Sequence, residues 1–227
     1  MKLVPIPFDG QICWAPADSS FTAILQRNEA WEPAVTRYLV KTLTPDLAFV
    51  DVGAHFGYYT LLAAKRTKHV IAFEPQEQAR EILLKNVREN GYDNVTVSDL
   101  ALFSRRTQGR IAKYTVHFEH SPDDGEVRAT TLDHFLEGEQ DRIRVIKVDT
   151  EGAEYDVLLG ARRTLEAHSP TLILELHPGQ MPEYFGYTTS NLLALLGRLG
   201  YNVKLMERGN LYLKWGPHLL CRVTNSG

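Results

Sequence analysis

The chain has 227 residues and a formal net charge of -3, from 28 acidic and 25 basic side chains. That near balance argues against a polybasic nucleic-acid binder, because phosphate recognition normally leaves an excess of Lys and Arg. A composition of 44% hydrophobic and 23% charged residues excludes a chain that is disordered or membrane-embedded in bulk. The length suits one domain of generous size that needs neither a metal nor a disulfide to stand.

The regular pattern begins at Leu47, which leaves residues 1–46 as an amino-terminal segment and residues 47–227 as the main domain. Leu47 to Val52 reads as a buried first strand, and Tyr58 to Lys65 as the helix after it. Val70 to Phe73 is a second strand. Pro75 to Asn90 then places Ala79, Ile82, Leu83 and Val87 on one helix face, and Asn90-Gly91 stops it. Val95 to Val97 starts a third strand. Between Ser104 and Thr131 the pattern loosens around Ser121-Pro122-Asp123-Asp124-Gly125, a strong turn signal, and predicts a hairpin excursion. Ile143 to Val148 is a fourth strand, about Ala153 to Ala167 a helix, Pro170 to Leu176 a fifth strand, and Ser190 to Leu199 a helix ended by Gly200. Asn202 to Met206 and Leu211 to Val223 read as a closing antiparallel pair. Such alternation predicts an α/β fold, a parallel sheet with helices on both faces.

Cys13 and Cys221 lie far apart and form no C-x-x-C pair, and the first residues lack the apolar stretch of a signal peptide, so a cytoplasmic address is expected. No apolar run approaches the roughly 18 residues of a bilayer span.

The stretch Phe49-Val50-Asp51-Val52-Gly53-Ala54-His55-Phe56-Gly57-Tyr58-Tyr59-Thr60 carries the most chemistry per residue. A strand ending in an acid, followed by glycines four apart at a strand-to-helix turn, lets backbone N–H groups approach a ligand closely. The G-x-G-x-x-G of dinucleotide binders is absent, and no Lys-Ser/Thr follows to make a P-loop. What survives is a turn suited to the nucleoside and amino-acid parts of S-adenosylmethionine, with His55 at a position that often demands an unusual backbone angle. Glu74 closes the second strand, where a carboxylate can accept both ribose hydroxyls.

Strand four ends in Asp149-Thr150-Glu151-Gly152-Ala153-Glu154 and strand five in Glu175-Leu176-His177-Pro178. In an open parallel sheet, ligands sit outside the carboxyl ends of the strands, so both sets should face the glycine turn. Helix-start acids answering the dipole would explain one or two of these carboxylates, but not the set on a separate strand. For methyl transfer, in-line positioning and removal of a proton from the acceptor matter most. His177 is the expected base, because its ordinary pKa lies near neutrality, with Glu175 or Glu151 orienting it.

These residues together resemble the FkbM-type S-adenosylmethionine-dependent methyltransferases. The match lies in Asp51 to Thr60, then Ala72-Phe73-Glu74-Pro75, Thr131-Leu132-Asp133, and Ile146-Lys147-Val148-Asp149-Thr150-Glu151-Gly152-Ala153-Glu154; it runs in order from about Trp31-Glu32-Pro33 to Glu175. The resemblance implies a seven-stranded, Rossmann-like class I methyltransferase sheet with an antiparallel final strand, and O-methylation of a hydroxyl on a sugar, polyketide or similar metabolite. By position it assigns Asp51, Gly53 and Glu74 to the cofactor and places Asp99-Leu100-Ala101 near the adenine; His55, Phe56, Gly57, Pro75 and Asp149 complete the expected contacts. His55 stands where the family more often carries Asn. Residues 1–46 and the excursion between strands three and four are left to shape the acceptor site.

Three rival readings remain at this stage. In a metal-assisted enzyme Asp149, Glu175 and His177 would ligate Mg²⁺. A cofactor-binding subunit without catalysis would keep only the turn, and a nicotinamide oxidoreductase is disfavoured by the glycine spacing. Neither nucleic acid, membrane nor resident metal is expected as a partner. Arg105, Arg106 and Arg110 form a basic spot, Met181, Tyr184, Phe185 and Tyr187 an aromatic group beside the site, and Trp14, Trp31 and Trp215 candidate linings of its mouth.

Overall fold

The computed structural model describes residues 1–27, 29–112, 115–117, 126–139, 141–207 and 210–215. The chain opens with a hairpin of β1 (Leu3–Phe8) and β2 (Gln11–Pro16), turned at Asp9-Gly10 with both residues at positive φ, 49° and 73°. Helices α1 (Ser20–Gln26) and α2 (Pro33–Thr42) follow. Then come β3 (Ala48–Val52), α3 (Tyr58–Ala64), β4 (His69–Phe73), α4 (Glu77–Glu89), β5 (Val95–Ser98) and the short β6 (Ala101–Leu102). The excursion holds β7 (Thr107–Ala112), β8 (Thr115–His117) and β9 (Glu126–Thr130). The chain continues through α5 (Leu132–Phe135), β10 (Ile143–Val148), α6 (Glu154–Leu159), α7 (Arg162–His168), β11 (Thr171–Glu175), α8 (Gln180–Phe185), α9 (Thr189–Arg198), β12 (Tyr201–Glu207) and β13 (Asn210–Trp215).

The main sheet has the order β12-β13-β11-β10-β3-β4-β5. Five neighbouring strands, β11, β10, β3, β4 and the edge strand β5, run parallel, while β13 pairs antiparallel with both β11 and β12. The chain winds from β3 outward to β5, then returns to β10 on the other side of β3. The carboxyl ends of β3 and β10 therefore flank a crevice at the point where strand order reverses, which is where an open sheet receives ligands.

Period-2 alternation divides the apolar side chains between the faces. Val50, Val52, Ile146, Val148, Leu172 and Leu174 pack against α6, α7 and α9. Phe49, Val145 and Ile173 face the other way, onto α1, α2, α3 and the hairpin. Asp51 and Lys147 belong by alternation to this second face and are register partners across β3 and β10. Residues 1–46 thus pack into the core of the sheet's second face, although the pattern in the sequence begins only at Leu47.

Two asparagines one turn apart on α4 fasten the hairpin. Asn86, fully buried, accepts the Trp14 N–H at 2.6 Å and donates to the carbonyls of Trp14 at 3.0 Å and Phe56 at 2.7 Å. Asn90 accepts the Ile12 N–H at 3.0 Å and donates to the Ile12 carbonyl at 2.7 Å. Both side chains act as a strand partner for β2. Cys13 is buried on β2 with its thiol pushed up to about 12 by burial; Cys221 lies outside the described residues.

Several elements depart from the expected pattern. The single helix expected over 153–167 is two, divided at Gly160, which packs against the Phe103 carbonyl so closely that a Cβ would stand 2.1 Å away. Asp133, at the start of α5, then caps α7 by accepting the N–H groups of Arg163 and Thr164 at 3.0 and 2.8 Å. The expected hairpin excursion is a second sheet of order β6-β9-β7-β8, with the turn at 121–125 outside the described residues. The closing pair is observed as β12 and β13, the latter reaching Trp215; residues 216–223 lie outside the described residues. No helix among the described residues is long and apolar enough to cross a membrane.

Asn86→Ala should strand the buried Trp14 N–H and leave two carbonyls without their donor, costing about 2–3 kcal/mol and lowering Tm by about 4–12 °C. Thermal denaturation monitored by circular dichroism measures this, and an unchanged Tm would show that the hairpin docks without these bonds.

Candidate functional site

A cleft of about 950 Å³ opens at the carboxyl ends of β3, β4 and β10. Its walls come from the glycine turn after β3, from Glu74 to Ile82 after β4, from Leu100 to Leu102, from Lys147 to Ala153, from Glu175, and from the amino-terminal residues Pro16, Asp18 to Phe21 and Trp31.

The turn after β3 is close-packed and strained. Gly53 has φ 81°, and a Cβ there would stand 1.8 Å from the Asp149 carbonyl oxygen. Gly57, with φ 89°, begins α3, and a Cβ on it would meet Leu83 at 2.4 Å. His55 takes φ 52°, a left-handed angle that a non-glycine residue adopts at a cost. Its N–H donates to Glu74 Oε2 at 2.7 Å, while Glu74 Oε1 accepts the Gln76 N–H at 2.9 Å. Glu74 is buried on the cleft wall, and desolvation pushes its carboxyl up to about 7 despite both bonds.

Asp51 lies behind this turn and off the wall. It is 1% exposed, its Oδ2 accepts the Thr60 hydroxyl at 2.6 Å, and its Oδ1 is buried without a hydrogen-bond partner. Asp51, expected among the cofactor contacts, thus stands beneath the turn, bonded to Thr60 at the start of α3. Asp99 also departs from expectation: its carboxylate points outward to Arg128 at 2.9 Å and leaves Leu100 and Ala101 to line the cleft. His55, Phe56, Pro75 and Asp149 stand on the wall, and Gly57 lies just behind it.

The acids after β10 and β11 converge as the sheet topology requires. Lys147, 2% exposed, places Nζ 2.9 Å from Asp149 Oδ2 and 4.9 Å from the Tyr59 ring centre. Burial opposes its charge, yet Asp149, Glu32 and Asp51 outweigh burial and raise its pKa above the ordinary lysine value. Burial also pulls Asp149 upward, but Lys147 and then His177 overcome it and keep the carboxyl below its usual range. Glu175 hydrogen-bonds to Asp149; burial, then the charges of Asp149 and Glu32, push it up to about 8, so it carries the shared proton at neutral pH.

His177 is 12% exposed and stands behind the wall. Nδ1 lies 3.0 Å from Glu154 Oε1, and Nε2 lies 3.4 Å from Glu151 Oε2 and 3.8 Å from Asp149 Oδ1. Burial works to lower its pKa, but these carboxylates, Glu154 foremost, push it up to about 9. The ring is an imidazolium at neutral pH, which opposes the expected role of proton acceptor. Glu154 Oε1 also accepts the N–H groups of Thr150 at 3.2 Å and Gly152 at 3.1 Å, so His177 and Glu154 together hold the turn that carries Glu151. Glu151 itself has φ 54°, lies on the cleft wall, and is pushed up first by burial and then by Asp149 and Glu154. Ligand atoms of Asp149, Glu151 and His177 lie within 4.8 Å of one another, a different triad from the Asp149, Glu175 and His177 expected for Mg²⁺.

Lys147 and Glu32 are the site residues that sequence reasoning passed over. A lysine inside the apolar run Ile143 to Val148 was the available signal. Glu32 precedes α2 at φ 40° and accepts the Tyr59 hydroxyl at 2.5 Å. The aromatic group after β11 does not line the cleft. Met181 and Tyr187 are buried, and the Tyr187 hydroxyl donates to the Gly152 carbonyl beneath the turn. Arg105 and Arg106 are exposed away from the cleft, and Trp14 lies under Lys85, whose Nζ stands 4.1 Å from the ring centre. Of the tryptophans with described side chains, Trp31 reaches the cleft.

The fold matches solved methyltransferase structures. An FkbM methyltransferase from Methylobacillus flagellatus superposes with a TM-score of 0.56 at 18% identity, over 80% of this chain and 51% of that one. A Streptococcus thermophilus rRNA methylase gives 0.53 at 14% identity, over 83% and 98%. A Streptococcus mutans protein solved in complex with SAH gives 0.52 at 13%, over 79% and 94%. At these identities the likeness establishes the fold alone. In sequence, the chain is 30% identical over 166 residues to the hexuronic acid methyltransferase AglP of Haloferax volcanii, covering 67% of this chain and 65% of that protein, just under two thirds of the relative's length. The family model for the methyltransferase FkbM domain matches residues 51–203, about two thirds of the chain and the stretch that supplies most of the cleft wall. The chain belongs to the FkbM methyltransferase family.

Proposed function

We propose that this protein transfers a methyl group from S-adenosylmethionine to a hydroxyl of a sugar-type acceptor, with residues 1–46 covering the acceptor's side of the cleft. The observation that carries the reading is Glu74: a buried carboxylate at the end of β4, held by two backbone N–H groups and presented to the cleft. Each oxygen keeps a second lone pair for one hydroxyl of a ribose diol. Gly53 supplies the backbone approach, and Leu100, Leu102 and Ile82 the apolar surface for an adenine. The acceptor class takes its support from the hexuronic acid methyltransferase relative.

Bound S-adenosylmethionine supplies an electrophilic methyl carbon on a cationic sulfur. The chain's part is to orient the acceptor and receive its proton. Glu151 takes that proton: it lies on the wall, and its raised pKa makes it a stronger base than an ordinary carboxylate. Asp149 is less suited, being neutralised by Lys147, and Glu175 already carries a proton. His177 acts as a positioning residue, its positive charge fixing Glu151, Asp149 and Glu154 around it. Lys147 and His177 already stand where a divalent cation would otherwise balance these carboxylates, so turnover is expected to be indifferent to EDTA.

Glu74→Gln should weaken binding of S-adenosylmethionine and S-adenosylhomocysteine roughly tenfold to a hundredfold by calorimetry. Because the ionised carboxylate accepts the diol, wild-type affinity should rise between pH 6 and pH 8 and that of the variant should stay flat. Equal affinity in both proteins would remove Glu74 from the cofactor site. Glu151→Gln should lower kcat by roughly a hundredfold or more with cofactor affinity preserved; undiminished turnover would exclude it as the base.

For His177 the sign is definite. Its folded pKa of about 9 lies above the unfolded value of about 6.5, so its stabilisation is complete below pH 6.5 and lost as pH rises through 9. His177→Gln should lower Tm by roughly 6–12 °C at pH 6.5, the loss expected when a buried ion pair loses one partner. The gap from wild type should narrow by pH 9.5, whereas a gap independent of pH would mean that the ring is neutral.

A further inference from the structure

Trp31 occupies a position that the chemistry of methyl transfer leaves unused. It lines the main cleft, and it also lines a second, shallower groove of about 540 Å³ formed with Ile24, Ala30 and Pro33. The corner that carries it is strained and fastened at several points. Glu32 is left-handed at φ 40°, the Trp31 carbonyl accepts the Thr36 hydroxyl at 2.6 Å, and the Glu32 carbonyl accepts the Thr36 N–H at 3.0 Å. Tyr59, next to Lys147, holds the Glu32 carboxylate at 2.5 Å. Phe21 braces the indole edge-on, with ring centres 5.3 Å apart and planes at 63°. An indole held in this way is a preorganised surface that loses little freedom when a ligand settles on it. Strain of this kind persists where the surrounding structure over-determines it, and it gathers at ligand clamps.

The surroundings select the ligand. A half-buried aromatic face takes an apolar surface, while Asp18, Ser20 and Glu175 line the same cleft and supply polar groups to it, the first two exposed on its wall. A pyranose has that dual character, with a C–H face and a rim of hydroxyls. The second groove that Trp31 lines gives room for whatever is attached to the sugar. Resting on the methyltransferase reading above, we propose that Trp31 is the acceptor platform and that the acceptor is a glycosidically linked sugar, its reacting ring in the cleft and its neighbouring unit in the groove beyond Trp31.

The test uses the full chain with S-adenosylmethionine and four probes: D-glucuronic acid, D-glucose, and a disaccharide of each, with S-adenosylhomocysteine release as the readout. A disaccharide should be methylated with a KM at least tenfold below that of its free monosaccharide. Trp31→Ala should raise that KM roughly tenfold or more, Trp31→Phe should restore part of it, and S-adenosylhomocysteine affinity should match wild type in both variants. Equal KM for disaccharide and monosaccharide, or an unchanged KM in Trp31→Ala, would overturn the proposal. So would turnover of a planar phenol with none of the sugars, although methyl transfer itself would then stand. Loss of S-adenosylhomocysteine affinity in Trp31→Phe would assign the residue to the cofactor and also overturn the proposal. Failure of the wild-type chain to bind S-adenosylmethionine at all would instead remove the methyltransferase reading on which the proposal rests.

Discussion

A buried ammonium is the constraint around which the site is organised. Lys147 lies inside the sheet, where an unpaired charge would cost several kcal/mol, and it is kept charged by carboxylates on three separate pieces of chain. Asp149 follows it on β10, Asp51 faces it across the register from β3, Glu32 comes from the corner before α2, and Glu175 is tied in through Asp149 from β11. Removing the lysine would leave these acids repelling one another at the carboxyl edge of three strands. The pair contributes geometry more than net stability. Well-packed apolar residues replacing the lysine and its carboxylates together would hold the sheet as well, but they could not decide which carboxyl is ionised and which carries a proton.

That division of protons follows from position. Asp149 takes the ammonium and stays ionised, and its charge then forces a proton onto Glu175. On the other flank, Glu154 is fully buried and has its charge met by His177, which is thereby made cationic. Two cations, Lys147 on the wall and His177 behind it, fix the charge state of the carboxylates around them. The backbone is correspondingly stretched: His55, Glu151 and Glu32 all take left-handed angles, and all border the cleft or its support. Each is held by hydrogen bonds from a different element, which is how a fold sustains local strain of about 1–3 kcal/mol per residue.

The sequence made the central sheet and its glycine turn legible, because both depend on local signals. Apolar runs of five or six residues separated by amphipathic stretches specify parallel strands, and Gly53 and Gly57 announce close backbone approach. The acids at 149, 151 and 175 meet at one crevice, because topology alone carries strand ends there, while Glu154 is buried beneath it. What stayed hidden depends on partners remote in sequence. Nothing near Asn86 or Asn90 shows that they complete a strand 72 and 78 residues away. Asp99 carries the right residue type at the right place, yet Arg128 from the second sheet turns it outward. His177 illustrates the limit of ordinary pKa values as a guide, since three neighbouring carboxylates reverse the role that its free value suggests. The Asp9-Gly10 hairpin turn was readable and was passed over.

A net charge of -3 conceals how unevenly charge is placed. Asp149, Glu151, Glu74, Glu175 and Asp18 line one cleft, and Lys147 is the cation in its described wall. With Glu175 protonated and Glu74 near its midpoint at neutral pH, the wall still carries more negative than positive charge. In a partly desolvated cleft such an imbalance acts at higher strength than it would in water. Under the proposed chemistry it acts differently on the two forms of the cofactor, because a sulfonium carries a positive charge that the thioether product lacks. Under that proposal the same field would favour the methyl donor over the spent cofactor and work against product retention.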